Sequence, residues 1–152
     1  MYANREYETM IERIFDTDHI SLLERGHPEL QKRLKSVPPD SLAVSVITVE
    51  EMLRGRLAIL SKRSEGKKRV HAYKKLMETV LFFSSITTIP FDIYCERQFQ
   101  ELRKQKIRIS SQDLRIASNA IVHNIIVVTR NQRDFKHVPG LKLEDWSIEV
   151  TH

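Results

Sequence analysis

The chain has 152 residues, of which 41% are apolar and 30% charged, and a net charge of +5 with a pI near 9.4. That length suits one domain with a proper buried core, and that composition excludes a disordered chain. No apolar stretch approaches a membrane span, the polar start Met1-Tyr2-Ala3-Asn4-Arg5-Glu6 is unlike a signal peptide, and Cys95 stands alone, which excludes an internal disulfide.

In chain order, residues 1–13 form a polar lead-in, in which Met10 offers an alternative translation start, and a single domain is expected over 14–152. Alternation begins at Ile14 and a short strand ends on Asp16. Asp18 to Leu23 predicts a short helix that stops near Gly26. Pro28 suits the first turn of a second helix running towards Lys35, and Pro38-Pro39-Asp40 ends it. Leu42 to Ile47 reads as a strand. Val49, Met52, Leu53, Leu57 and Leu60 then give one apolar face of a long helix, which Gly66 interrupts. In the following helix Val70, Tyr73, Leu76, Met77, Val80 and Leu81 form the predicted inner face.

Ile86 to Ile89 is a short strand closed by Pro90, and Ile93, Cys95, Phe99 and Leu102 mark another helix. Ile107 to Ile109 is extended, either as a strand or as a connector. Leu114, Ala117, Ala120 and Ile121 line the next helix. Ile125 to Val128 is a run of β-branched residues, as in a strand covered on both faces, and an edge strand near Leu141 to Leu143 precedes Trp146. Strands alternating with helices predict a three-layer α/β/α sandwich with a mostly parallel central sheet. The helical pair between Val49 and Ser85 would project from it as an arm with surface to spare for a partner.

Four of the apolar runs lead to a carboxylate: Asp16, Glu51, Asp113 and Asp134. In a parallel sheet the helix-side ends of the strands share one edge, so acids distant in sequence would meet there. Taken singly, three have a simpler explanation. Thr48-x-x-Glu51, Ser110-x-x-Asp113 and Asn131-x-x-Asp134 have the form of a helix cap followed by an acid three residues on. Asp16 differs, because Thr17 or Asp18 can cap the next helix without it. Taken together, clustered carboxylates need counter-charge, and hard cations such as Mg²⁺ or Mn²⁺ take oxygen ligands of this kind. The six histidines show no paired ligand spacing, which argues against zinc, and neither a phosphate-binding Gly-rich loop nor a nucleophile elbow is present.

Four blocks carry a family resemblance. They are Phe15-Asp16-Thr17-Asp18-His19-Ile20-Ser21, Val46-Ile47-Thr48-Val49-Glu50-Glu51-Met52-Leu53-Arg54-Gly55, Gln112-Asp113-Leu114-Arg115-Ile116-Ala117 and Val128-Thr129-Arg130-Asn131-Gln132-Arg133-Asp134-Phe135. In this order and at these intervals the chain resembles PIN-domain ribonucleases. Its ending, Val138-Pro139-Gly140-Leu141 followed by Glu144-Asp145-Trp146, is similar to the VapC toxin branch.

The resemblance implies a PIN-like sandwich in which Asp16 and Asp113 are the principal metal-binding aspartates, with Glu51 and Asp134 completing the catalytic and metal-binding set. Glu50 would face elsewhere. Thr129 and Asn131 match polar positions beside the site, and Arg130 and Arg133 share the Asp134 loop as candidate phosphate contacts, so all four are candidates for substrate binding. Ser110 stands where many relatives have glycine, and more residues than usual precede Asp16. Neither departure removes a carboxylate.

The implied function is that of a Mg²⁺- or Mn²⁺-dependent endoribonuclease in the cytoplasm. It would cleave structured RNA such as tRNA through a metal-activated water, as the toxin of a toxin–antitoxin pair. A small antitoxin would be its partner, a homodimer its form, and no membrane would be involved. Two further clusters, Lys62-Arg63 with Lys67-Lys68-Arg69, and Arg103-Lys104 with Lys106 and Arg108, are solvated faces or phosphate contacts. The alternative function is a catalytically idle PIN-like module that holds RNA or protein. A phosphotransfer receiver is a third, weaker reading, because the late acids have no matching lysine after a strand.

Overall fold

The computed structural model describes residues 10–62 and 65–149. Residues 1–9 of the expected lead-in, Arg63 and His152 lie outside them. Strand β1 (Arg13–Phe15) leads into α1 (Thr17–Glu24) and α2 (Pro28–Leu34). Gly26, at φ +72, turns the chain between these two helices, a conformation that costs glycine nothing. A 3₁₀ turn at Pro39–Ser41 enters β2 (Leu42–Ser45), and the long helices α3 (Val46–Lys62) and α4 (Gly66–Ser84) follow. The chain continues through β3 (Thr87–Ile89), α5 (Ile93–Lys104), α6 (Ser111–His123), β4 (Ile126–Val128), α7 (Gln132–Phe135) and β5 (Leu143–Glu144).

The strands form one parallel sheet in the order β3-β2-β1-β4-β5. Alternation along the strands divides the core into two layers. Ile14, Ala43 and Val127 pack with Phe99, Leu102, Leu114 and Ala117 on one face. Phe15, Val44 and Val128 pack with Ile20, Leu30, Met52, Phe83 and Trp146 on the other. The three-layer sandwich expected from the sequence is therefore the observed fold. Phe15 is in register with both Val44 and Val128, so the chain leaves β1, β2 and β4 at one level. Successive connections run to opposite sides of β1, which places the topological switch point between β1 and β4.

Several expectations need correction. The second strand ends at Ser45, and Val46 and Ile47 already belong to α3. Ser45 Oγ accepts the Ile47 amide at 3.0 Å, so Ser45, and not Thr48, serves the start of this helix. Of the two readings of Ile107 to Ile109, the connector holds, since the segment has no strand pairing. The largest difference is in α4. Its inner face is Ala72, Thr79 and Phe83, whereas Val70, Tyr73, Met77, Val80 and Leu81 are each more than half exposed. Small residues let α4 approach α3 closely, and Arg56 of α3 donates to Thr79 Oγ1 at 3.0 Å across that contact. Leu57, expected on the inner face of α3, is exposed as well.

Candidate active site

Asp16 follows β1 at the switch point and is 4% exposed. Its Oδ1 accepts the His19 amide at 2.8 Å, which makes it the N-cap of α1. Its Oδ2 accepts the Thr129 hydroxyl at 2.6 Å from the end of β4. Asp16 therefore both caps and projects into the edge. The role assigned to Thr17 or Asp18 falls to it. Thr17, thus released, donates to Glu51 Oε1 at 3.0 Å and lies 3.2 Å from Thr48 Oγ1. Glu51 sits in the second turn of α3 and is bound by a threonine of α1.

Asp113 is in the first turn of α6, where the Ser110 hydroxyl accepts its amide at 3.1 Å. That cap matches the sequence expectation. Asp134 is half-buried in the short α7, and Asn131 Nδ2 donates to its Oδ2 at 3.0 Å. Asn131 occupies the cap position without a side-chain bond to the helix backbone, so it serves the acid instead.

The electrostatics tie these residues together. Burial pushes the Glu51 carboxyl up; the Thr17 hydrogen bond opposes this, and the charges of Asp113, Glu50 and Asp16 add to it. Burial likewise pushes Asp113 up, against the Ser110 contact and with the charges of Asp16 and Asp134. Asp113 thus lies in the field of Asp16 and Asp134, and Glu51 in that of Asp113 and Asp16. They are not a preformed cage: among the described residues, no three His, Cys, Asp or Glu side chains stand together at metal-ligand spacing. The donor set nonetheless fits a hard divalent cation in kind, since it consists of oxygen ligands whose negative charge is partly uncompensated.

The four residues expected to bind substrate divide. Thr129 is fully buried, and its hydroxyl also accepts the Asn131 amide at 2.9 Å, so it orients Asp16 and does not face solvent. Asn131 orients Asp134. Arg130 is exposed and paired with Asp18 at 2.9 Å. Arg133 is exposed on α7. Glu50 is engaged by other partners, accepting from Gln112 at 2.9 Å and pairing with Arg54 at 2.6 Å, while its charge still reaches Glu51.

Sequence reasoning missed Thr17 as a partner of Glu51, and it missed His19. His19 is fully buried, with Nδ1 3.3 Å from Asp16 Oδ1 and Nε2 accepting the Trp146 amide at 3.2 Å. Spacing at i and i+3 from the aspartate was the available signal for His19. Cys95 is buried between β3 and α6, and burial pushes its thiol up to about 11, which leaves it a packing residue.

A parallel α/β/α sandwich with acids gathered at its switch-point edge is the architecture of a nuclease of the PIN type, and the PIN domain is matched over residues 14–141. The chain belongs to the PIN-domain family, in its VapC branch. It is 35% identical to Ribonuclease VapC2 of Rickettsia felis over 111 residues, which cover 70% of this chain and 75% of that protein. It is 23% identical to the tRNA(fMet)-specific endonuclease VapC of Salmonella typhimurium over 90% of this chain and 99% of the other. The crystal structure of DNA-bound VapBC from Salmonella typhimurium superposes with a TM-score of 0.73 at 22% identity, covering 90% of this chain and 99% of that one.

Proposed function

We propose that this protein is a Mg²⁺- or Mn²⁺-dependent endoribonuclease, the toxin of a toxin–antitoxin pair, and that it cleaves structured RNA such as tRNA in the cytoplasm. The observation that carries this reading is the convergence of acids on Asp113, which feels the charges of Asp16 and Asp134 and acts, with Asp16, on Glu51. A scaffold has no use for like charges held together against their repulsion. The names of the relatives support the reaction class, one as a ribonuclease and one as an endonuclease specific for tRNA(fMet).

Asp16 and Asp113 would hold the metal, with Glu51 and Asp134 completing its surroundings. When bound, such an ion would activate water and stabilise the leaving oxygen in attack on phosphate; the PIN-domain resemblance implies 5′-phosphate and 3′-hydroxyl ends. The chain's own contribution is orientation. Thr129 fixes the Asp16 carboxylate, Thr17 fixes Glu51, and Asn131 fixes Asp134. Arg133, exposed and next to Asp134 in the chain, would meet a phosphate, and Arg130 could do so on leaving Asp18.

The partner in this reading is a small antitoxin, supported by the VapBC pairing of the superposed structure. The exposed α4 stripe supports a homodimer. The test is RNA cleavage by purified, antitoxin-free protein. Activity should require Mg²⁺ or Mn²⁺ and vanish in Asp16→Asn and Asp113→Asn; cleavage that survives chelation, or either substitution, overturns the proposal.

A further inference from the structure

Away from the acids, α3 and α4 enclose a groove of about 420 Å³. Its floor is apolar, made by Ile59 and Ala72, and its walls carry Arg56, Lys67, Lys68, His71 and Lys75. Two of these cations are already matched. Arg56 pairs with Glu24 at 3.1 Å, and Lys75 with Glu78 at 3.3 Å. Lys67 and Lys68 make no ion pair among the described residues, and no acid lines the groove. The first turn of α4 also contains no acidic residue, so these lysines face the positive end of the helix dipole, an arrangement that costs helix stability. Glu65 stands at the N-cap without a side-chain bond to the helix, and the ion pairs of the groove serve Arg56 and Lys75, so Lys67 and Lys68 keep their charge unpaired among the described residues.

We infer that this groove is an RNA-anchoring site, in which Lys67 and Lys68 hold backbone phosphates and the Ile59–Ala72 floor seats a base. The inference rests on the ribonuclease reading for the identity of the polyanion. Lysine is a compact point charge suited to phosphate contact, which positions RNA without reading its sequence. Ile59 lies about 12 Å along the α3 axis from Glu51, a distance that a few nucleotides cover. A strand held in the groove can therefore also reach the acids. The anchor explains why the chain's positive charge is concentrated on the arm and not only beside the site.

The experiment compares the full-length protein with Lys67→Glu/Lys68→Glu and Lys67→Arg/Lys68→Arg, using fluorescein-labelled bulk tRNA in EDTA so that binding is read without cleavage. Fluorescence anisotropy is followed from ~50 to ~200 mM KCl. Loss of two phosphate contacts should weaken binding about tenfold and reduce the log–log salt slope by about 1.4, while the arginine pair retains both. Both lysines are exposed, and a thermal melt confirms folding; Lys67→Gln/Lys68→Gln replaces the charge reversal if that variant unfolds. Unchanged affinity and slope overturn the inference. So does a result in which the glutamate pair binds tRNA normally but loses an acidic amphipathic peptide that the wild type binds. Absence of cleavage by the wild type in Mg²⁺ would instead overturn the ribonuclease reading, and the binding arm would still decide the groove.

Discussion

Thr129, the residue after β4, donates its hydroxyl to Asp16 Oδ2 at 2.6 Å, and so joins the two strands that flank the switch point. The bond holds a buried carboxylate whose other oxygen is committed to the His19 amide. Thr129→Val keeps the shape and removes the donor. Hydrogen bonds to charged groups contribute about 1.5–3 kcal/mol, so cleavage should fall roughly 10- to 100-fold. The thermal midpoint should fall with it. Thr129→Ser should retain most activity. Initial rates on RNA and melting curves of the three proteins check this, and a fully active valine variant would remove Thr129 from the site.

Asp113 offers a pH test. Burial first, then the charges of Asp16 and Asp134, raise its folded-state value above that of the unfolded chain. For an acid shifted upward, the stabilising contribution is present below the unfolded value, about 3.9, and is lost as pH rises through the folded value. Ionised Asp113 therefore opposes folding at neutral pH. Asp113→Asn should raise the melting temperature at neutral pH while abolishing cleavage, and the difference should close in acid. The Ser110 cap acts on the backbone amide and survives the change. A lower midpoint for the asparagine variant at neutral pH contradicts this account.

Much of this site was legible from the sequence because strand-to-acid junctions are local features. Four acids following apolar runs, in a parallel topology, could be placed on one edge; Asp16, Glu51 and Asp134 do follow paired strands, whereas Asp113 arrives on α6 after an unpaired connector. What pairs with each acid was not legible. Thr17 meets Glu51 only because α1 and α3 start side by side, and Thr129 meets Asp16 only because β4 is the neighbour of β1. The choice of cap is hidden for a similar reason. The sequence offers Thr17 or Asp18 as caps in place of Asp16, but helix α1 begins at Thr17, which leaves Asp16 as the cap. In α4, two stripes share the helical period, and by sequence alone the bulkier one reads as the core. Packing chose the smaller stripe, Ala72 and Thr79, because it allows the two helices of the arm to approach.

Metal binding should stabilise the fold. A cation that binds the native acids and relieves the repulsion at Glu51 and Asp113 shifts unfolding by mass action, about 2.7 kcal/mol at a concentration 100 times its dissociation constant. Differential scanning fluorimetry should show the midpoint of the wild type rising with Mg²⁺ or Mn²⁺. Asp16→Asn and Glu51→Gln should respond less. Equal shifts in all three proteins would mean that the ion binds elsewhere.

The opposite sign of pH dependence is expected at the sheet edge. Arg13 Nε contacts both Glu144 oxygens, at 2.8 and 3.1 Å, bridging from β1 past β4 to β5. Its hydrogen bond is the largest influence holding Glu144 below the usual glutamate range. A depressed acid stabilises above its unfolded value, about 4.3, and the contribution is lost as pH falls through the folded value. Glu144→Gln should therefore lower the neutral midpoint by about 2–4 °C, for a contribution of about 1 kcal/mol. The two proteins should converge as the solution is acidified below that range. A gap that persists or widens there would assign the effect to packing around Arg13.

The exposed stripe of α4 bears on assembly. Val70, Tyr73, Met77, Val80 and Leu81 recur at helical spacing over three turns, and each is 51–70% exposed. A row of this kind on one straight helix can face a second copy of itself about a two-fold axis, since each residue then meets the row it belongs to. An isolated chain would leave that apolar surface in water. Met77→Asp/Leu81→Asp places two carboxylates in the middle of the row without touching Ala72, Thr79 or Phe83, so folding should be preserved. Light scattering after gel filtration should give a dimer for the wild type and a monomer for the double variant at the same concentration. A wild-type monomer would leave the stripe to a different partner chain, and an unchanged dimer in the variant would place the dimer interface on another face.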